Sequence, residues 1–420
     1  MSANEKKVAR GVARWAVKVL VVVIAGVLLA YVLFVLSGKA VLARKIAELR
    51  RRGCPTSYEE LQARTTIPEG VANAADLYIQ AFAAYTEPAT GDDRLLPLVG
   101  SVRQLELPRP GEPLPGRMKM PLRRFIAANR QTLDLLRQAA RVEHCRFPQN
   151  AQYPSAPLMD FQRVDRCADL LVLAVMNDAN EVASEDVFGA VSSSLRLGEA
   201  LLGDPTFSSY FTGLYVFTKA AKAVEYAVND AGLSERQMVD LQKELGRIRR
   251  NYAVDRLVTR ERVVVLENVR DPGWRRLVDD LGPAGYPGLF EWNVWLYLVY
   301  IDRAEQGLSG PHMTEPAKVM TALAGAEGLP SVCAATKAMI ENTQATASFA
   351  NGAFALLDAA RTALAIERYR QAHNRLPQRL ADLVPQYLDA VPIDPSCGEP
   401  LQYTPHREAY MVHTLIRKGL

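Results

Sequence analysis

VLVVVIAGVLLAYVLFVL, residues Val19 to Leu36, holds no charge and no proline. A helix over residues 15–37 would be about 34 Å long at the α-helical rise. That covers the roughly 30 Å hydrocarbon core of a bilayer with a little tilt. Trp15 and Tyr31 suit interfacial or near-interfacial depths, and Lys18 can extend its ammonium to the headgroups. A cleaved signal peptide has a shorter apolar region and a small-residue cleavage site. A buried core helix seldom lacks polar positions for so long. The run therefore reads as an uncleaved, single-pass signal anchor, with the lipid bilayer as partner of residues 15–37.

Charge divides the chain at the same place. Residues 1–52 carry eleven Lys and Arg against Glu5 and Glu48, a net of +9; the whole chain is +4, which leaves −5 for residues 53–420. A mildly acidic body argues against nucleic-acid binding. The basic flanks fit anionic lipid headgroups. They do not fix orientation: the count after the span slightly exceeds the count before it, yet long domains translocate largely regardless of charge.

Beyond a basic tail (1–14) and the transmembrane helix (15–37), the pattern KAVLARKIAELRRR continues the helix outward until Gly53-Cys54-Pro55 stops it. Residues 38–86 read as this stalk plus the first body helices, Tyr58–Ala63 and Ala72–Tyr85. Residues 87–121 hold seven prolines and read as a long loop. Residues 122–345 read as a helical body, with apolar residues at i, i+3, i+4 spacing. Ser234 and Gln237 form a capping-box pattern. Helices joined by short links predict packed hairpins, solenoid-like but without a 34-residue register. The apolar segment around residues 289–301 is too short for a second span and predicts a buried helix, with membrane-surface contact as the alternative. The fold class is mainly α, closed by a small α+β module at 352–420.

That module starts with a helix over GAFALLDAARTALAIERYRQAH, broken at Asn374. A short helix in RLPQRLADLVPQYL follows, then a turn-rich stretch and a hairpin of Leu401–Thr404 with Ala409–His413. Tyr369, Leu376-Pro377, Leu380, Leu383-Val384-Pro385, Tyr387-Leu388, Pro392, Asp394-Pro395, Gly398, Pro400, Tyr403 and Tyr410 carry a pattern. It resembles the C-terminal half of the major pseudopilins of type II secretion systems, over about 60 residues. The turn PIDPSCG is one residue longer than the pseudopilin turn. No GFTLIE-like prepilin-peptidase segment precedes Val19, and residues 414–420 offer no acidic counterpart to the calcium ligands of some pseudopilins. The whole chain is similar to uncharacterised bacterial single-pass membrane proteins that join one membrane helix, a helical body and such a module. The resemblance implies an inner (cytoplasmic) membrane protein with a periplasmic body.

Catalytic signatures are absent: no HExxH, GxSxG or P-loop occurs. The weak catalytic candidates are Glu261, Glu267 and Glu291. The first two lie six residues apart and would not share a helix face. Glu291 stands beside Trp292 and Trp295, a setting that raises a carboxyl pKa, but a Glu at the helix edge facing water is the favoured reading. Asp279-Asp280 reads as a solvated helix end. The five histidines are scattered, with His406 and His413 expected as neighbours across the hairpin. Cys54, Cys145, Cys167, Cys333 and Cys397 form no CxxC, though an extracytoplasmic body would allow one or two disulfides. No metal or cofactor is expected. The sequence predicts an extracytoplasmic interaction or scaffold protein with a protein partner; an envelope hydrolase using the three acids and a secretion or pilus-like apparatus component are the alternatives.

Overall fold

The computed structural model describes residues 3–414 apart from 65, 102–104, 150–158, 181–183, 252–253, 271–284, 309–322, 324, 327, 396 and 408. Helix α1 (Ala3–Arg51) contains the apolar run. Its segment Trp15–Arg51 is long and apolar enough to cross a membrane, and none of the apolar window is covered by the rest of the protein. The helix does not stop where the apolar run ends. Good helix formers carry it to Arg51, where Gly53, at φ +74°, turns the chain. The amides of Gly53 and Cys54 close that end by donating to the carbonyls of Arg50 and Leu49, both at 2.9 Å.

The outer half of α1 belongs to the body. Leu42 and Leu49 are buried, and the helix runs beside α11 (Leu289–Leu308). Contact begins where both chains carry glycine. A Cβ on Gly38 would stand 2.6 Å from the Gly288 carbonyl oxygen, and one on Gly288 would stand 2.9 Å from Cδ1 of Phe34. Farther along, Lys45 donates to Asp302 at 2.9 Å and Arg52 reaches the same carboxylate at 2.5 Å. The order of these contacts makes α1 and α11 parallel.

Helices α2 (Tyr58–Ala63), α3 (Ala74–Ala84), α4 (Gly116–Ala128) and α5 (Arg130–Ala140) follow. Then come α6 (Phe161–Asn180), α7 (Ser184–Gly203), α8 (Phe207–Asp230), α9 (Glu235–Asn251) and α10 (Val254–Arg270). Helix α8 is central, flanked by α6, α7 and α12 (Ala334–His373). Helices α7 and α8 form a hairpin over Asp204–Thr206, whose Thr206 caps α8. The expected capping box opens α9: Ser234 N donates to Gln237 Oε1 at 2.9 Å, and Gln237 N to Ser234 Oγ at 3.3 Å.

Two boundaries differ from the sequence expectation. The proline-rich stretch ends earlier, because α4 starts at Gly116 and holds Pro121 inside it; Met118, Pro121, Leu122 and Phe125 form a buried stripe that outweighs the lost amide. Helix α12 begins at Ala334 rather than near residue 352, since no breaker interrupts it before Asn374, which ends it in the left-handed region at φ 53°.

That length joins two cores. The main core includes α12 residues up to Leu364. A second, smaller core begins at Ala365 and contains Ile366, Tyr369, Leu380, Leu383, Tyr387, Leu388 and Leu401. The short helix expected after Asn374 is a single 3-10 turn, Leu380–Leu383. Strands β1 (Gln402–His406) and β2 (Ala409–His413) pair antiparallel with Gln402 opposite His413 and His406 opposite Ala409. His406 and His413 therefore stand at opposite ends of the hairpin and are not neighbours.

Gly38→Leu should separate α1 from α11, because backbone blocks the new side chain and no rotamer relieves it. Overpacking of this kind costs about 1–3 kcal/mol. Thermal unfolding of the full chain in detergent should show the loss, and an unchanged midpoint would contradict this packing.

Candidate functional site

Helix α10 carries consecutive buried charges, Arg260, Glu261 and Arg262. At 100° per residue they address different neighbours. Arg260 turns to the end of α7, where its guanidinium donates to the carbonyls of Leu202 and Asp204, the latter at 2.8 Å. It also lies over the Tyr210 ring, 4.8 Å from the centroid. Arg262, 1% exposed, pairs with Glu305 of α11 at 2.7 Å. Glu261 faces α12, against Asn342, Thr343 and Thr346.

Burial favours the protonated form of Glu261, while its polar neighbours favour the charged one. The Thr343 and Thr346 hydroxyls donate to the carbonyls of Met339 (2.9 Å) and Asn342 (3.0 Å) in their own helix. Thr343 Oγ1 also meets the Tyr297 hydroxyl at 3.0 Å. Neither Glu261 carboxyl oxygen completes an aligned hydrogen bond with them, but their approach favours the charged form and works against burial. Burial pushes the Glu261 carboxyl up to about 7.

The other acids lie elsewhere. Glu267 accepts from the Tyr58 amide at 3.2 Å and pairs with Arg270 at 3.0 Å. Glu291 is buried and accepts from the Gly288 amide at 2.7 Å, closing the first turn of α11. Trp292 and Trp295 meet edge to face at 5.4 Å beside it. The three carboxyls thus serve three different neighbours and do not converge on one pocket.

A cavity of about 620 Å³ opens between α2, α3, α7 and α10. Arg64, His144, Cys145, Arg196, Glu199 and Arg260 line it, and none of the three acids does. Its charges are mutually committed: Arg196 bonds Glu199 (3.2 Å) and Glu244 (2.8 Å), while Arg247 also holds Glu199. Burial pushes the Cys145 thiol up, so it is a poor nucleophile despite the adjacent histidine. A groove of about 560 Å³ runs between α8, α12 and β2; its Lys222–Glu225 and Arg370–Glu367 side chains pair with each other.

All five cysteines are free thiols. Among the described residues no cluster of three or more His, Cys, Asp or Glu side chains could hold a metal ion. Asp279, Asp280 and His312 lie outside the described residues. Sequence reading passed over Arg260, Arg262 and Lys219, which bridges Asp165 and Asp169 at 2.6 Å each. The signal was present in RERVVV, where charges abut a strongly apolar run.

Glu261 should make stability fall as pH rises. The unfolded chain releases this proton near 4.5 and the folded chain near 7. Between those values the folded state binds more protons, so the free energy of unfolding declines, then levels off above about 7. The loss is on the order of 1.4 kcal/mol for each unit of pKa difference. Glu261→Gln should flatten that part of the pH profile and raise stability at pH 8 relative to the parent. The comparison isolates Glu261 from Asp169, Glu244 and Asp358, whose carboxyls burial also pushes up. Identical profiles for parent and variant would contradict the assignment. No protein-family model, curated protein or solved structure matches the chain, so its own geometry carries the functional reading.

Proposed function

We propose that this protein is a membrane-anchored interaction protein of the bacterial envelope. In this reading residues 15–37 cross the cytoplasmic membrane and the body stands on its periplasmic side, where it receives a protein partner. The observation that carries the proposal is the continuity of α1. The apolar segment passes without a break into a helix locked to α11 by Gly38, Gly288 and the Lys45–Asp302–Arg52 cluster. A flexible tether would let the body sample any height and angle. A helix built into the core gives it one fixed presentation, which suits a docking platform.

The pseudopilin-like pattern supports the periplasmic assignment, and it keeps a role in a secretion or pilus-like apparatus as the second reading. An envelope hydrolase based on Glu261, Glu267 and Glu291 is less well supported, because the three carboxyls lie at separate positions and none lines the larger cavity.

A reporter fused after residue 413 should be active only on the periplasmic side, and cytoplasmic activity would overturn the localisation. Cross-linking in intact membranes followed by mild-detergent capture should recover a defined protein partner. Recovery of the chain alone would count against a scaffold role. Co-recovery of a secretion ATPase or prepilin-like subunits would favour the apparatus reading.

A further inference from the structure

We infer that the body itself rests on the bilayer, through residues 285–288 and 328–333, which lead into α11 and α12, and that Tyr286 and Val332 enter the lipid headgroup layer. The inference rests on the reading that α1 spans the membrane, and the position of these residues follows from where α1 meets the body.

The apolar run ends at Leu36. Gly38 lies two positions farther, about 3 Å along the helix axis. The interfacial layer on each side of the hydrocarbon core is roughly 5–8 Å thick. Whatever touches α1 at Gly38 therefore sits at headgroup depth. Two body residues do so: a Cβ on Gly38 would stand 2.6 Å from Gly288 O and 3.2 Å from Cδ1 of Trp292. Gly288 reaches deeper still, against Phe34 and the Val35 backbone.

The start of α12 is tied to this same end. Asn293, one residue past Trp292, donates to the Val332 carbonyl at 2.9 Å, accepts from the Thr336 amide at 3.0 Å, and bonds the Thr336 hydroxyl at 2.9 Å. Helices α11 and α12 therefore begin together beside the exit point of α1 and run away from it.

This end displays large apolar side chains that the body does not cover. Tyr286, two residues before Gly288, is 63% exposed, and Val332 is 45% exposed. In water such exposure is a standing cost of apolar hydration. At a membrane interface it is favourable, and tyrosine is enriched there. Lys39, exposed on the turn beside Gly38, is positioned for anionic headgroups. The lipid surface is the occupant because the patch is continuous with the apolar helix that enters it.

The test uses the full-length parent protein in vesicles of phosphatidylethanolamine and phosphatidylglycerol. One lipid carries a photoreactive diazirine near the glycerol and another carries it at the acyl-chain end; mass spectrometry maps the labelled residues. Both lipids should label α1 between Val19 and Leu36. The shallow lipid should also label peptides containing Tyr286 and Val332, while Met411, equally exposed but in the hairpin, should stay unlabelled. Tyr286→Asp with Val332→Asp should reduce shallow labelling of those peptides severalfold and leave labelling of α1 unchanged. Labelled α1 with unlabelled Tyr286 and Val332 peptides would overturn this inference alone. An unlabelled α1 would overturn the spanning reading and this inference with it.

Discussion

Two backbones meet where Gly38 faces Gly288, and the placement of the body depends on that approach. No other residue fits: a single Cβ on either side would collide with main chain or with the Phe34 ring. Close approach lets α11 lie along α1 instead of crossing it, and this brings Asp302 within reach of Lys45 and Arg52. Taking such charges out of water is expensive, and their attraction repays the cost only when geometry is good. What the cluster gains is a fixed rotation of α1 about its axis. The glycines fix separation and the ion cluster fixes rotation, so the apolar helix and the body keep one relative orientation.

The same device recurs inside the body. Arg260, Glu261 and Arg262 point from one turn of α10 toward α7, α12 and α11. Each charge suits one neighbour only, so a slip of α10 by one residue would leave several buried polar groups unmatched. An apolar helix could slide at little cost; this one cannot. These residues therefore act as determinants of packing register.

Local features of the fold were legible in the sequence. The apolar run, the stop at Gly53, helix α2, the capping box at Ser234 and the terminal hairpin all follow from spacing and turn chemistry that act within a few residues. Misread features depended on distant partners. Pro121 sits inside a helix because buried Met118, Leu122 and Phe125 hold it there. Helix α12 extends through residues 334–351 because its alanine and threonine positions pack on other helices. Among the candidate acids, sequence reading weighed Glu291 as a buried acid beside Trp292 and Trp295 but favoured a helix-edge position facing water, whereas the structure buries it. There the Gly288 amide donates to the carboxylate. The acid that burial does push up is Glu261, whose environment is assembled from α10, α11 and α12, far apart along the chain.

Helix α12 is 40 residues long, about 60 Å at the α-helical rise. One end is bonded to Asn293 of α11, near where α1 meets the body at Gly38, and the other forms a wall of the hairpin core. It is thus a single rod shared by two cores, with Asn374 as its far tip. A rod transmits displacement where a loop would dissipate it. A load applied at the hairpin would reach the α11–α12 junction along one continuous hydrogen-bonded path, so the terminal module is mechanically in series with the α1–α11 contact.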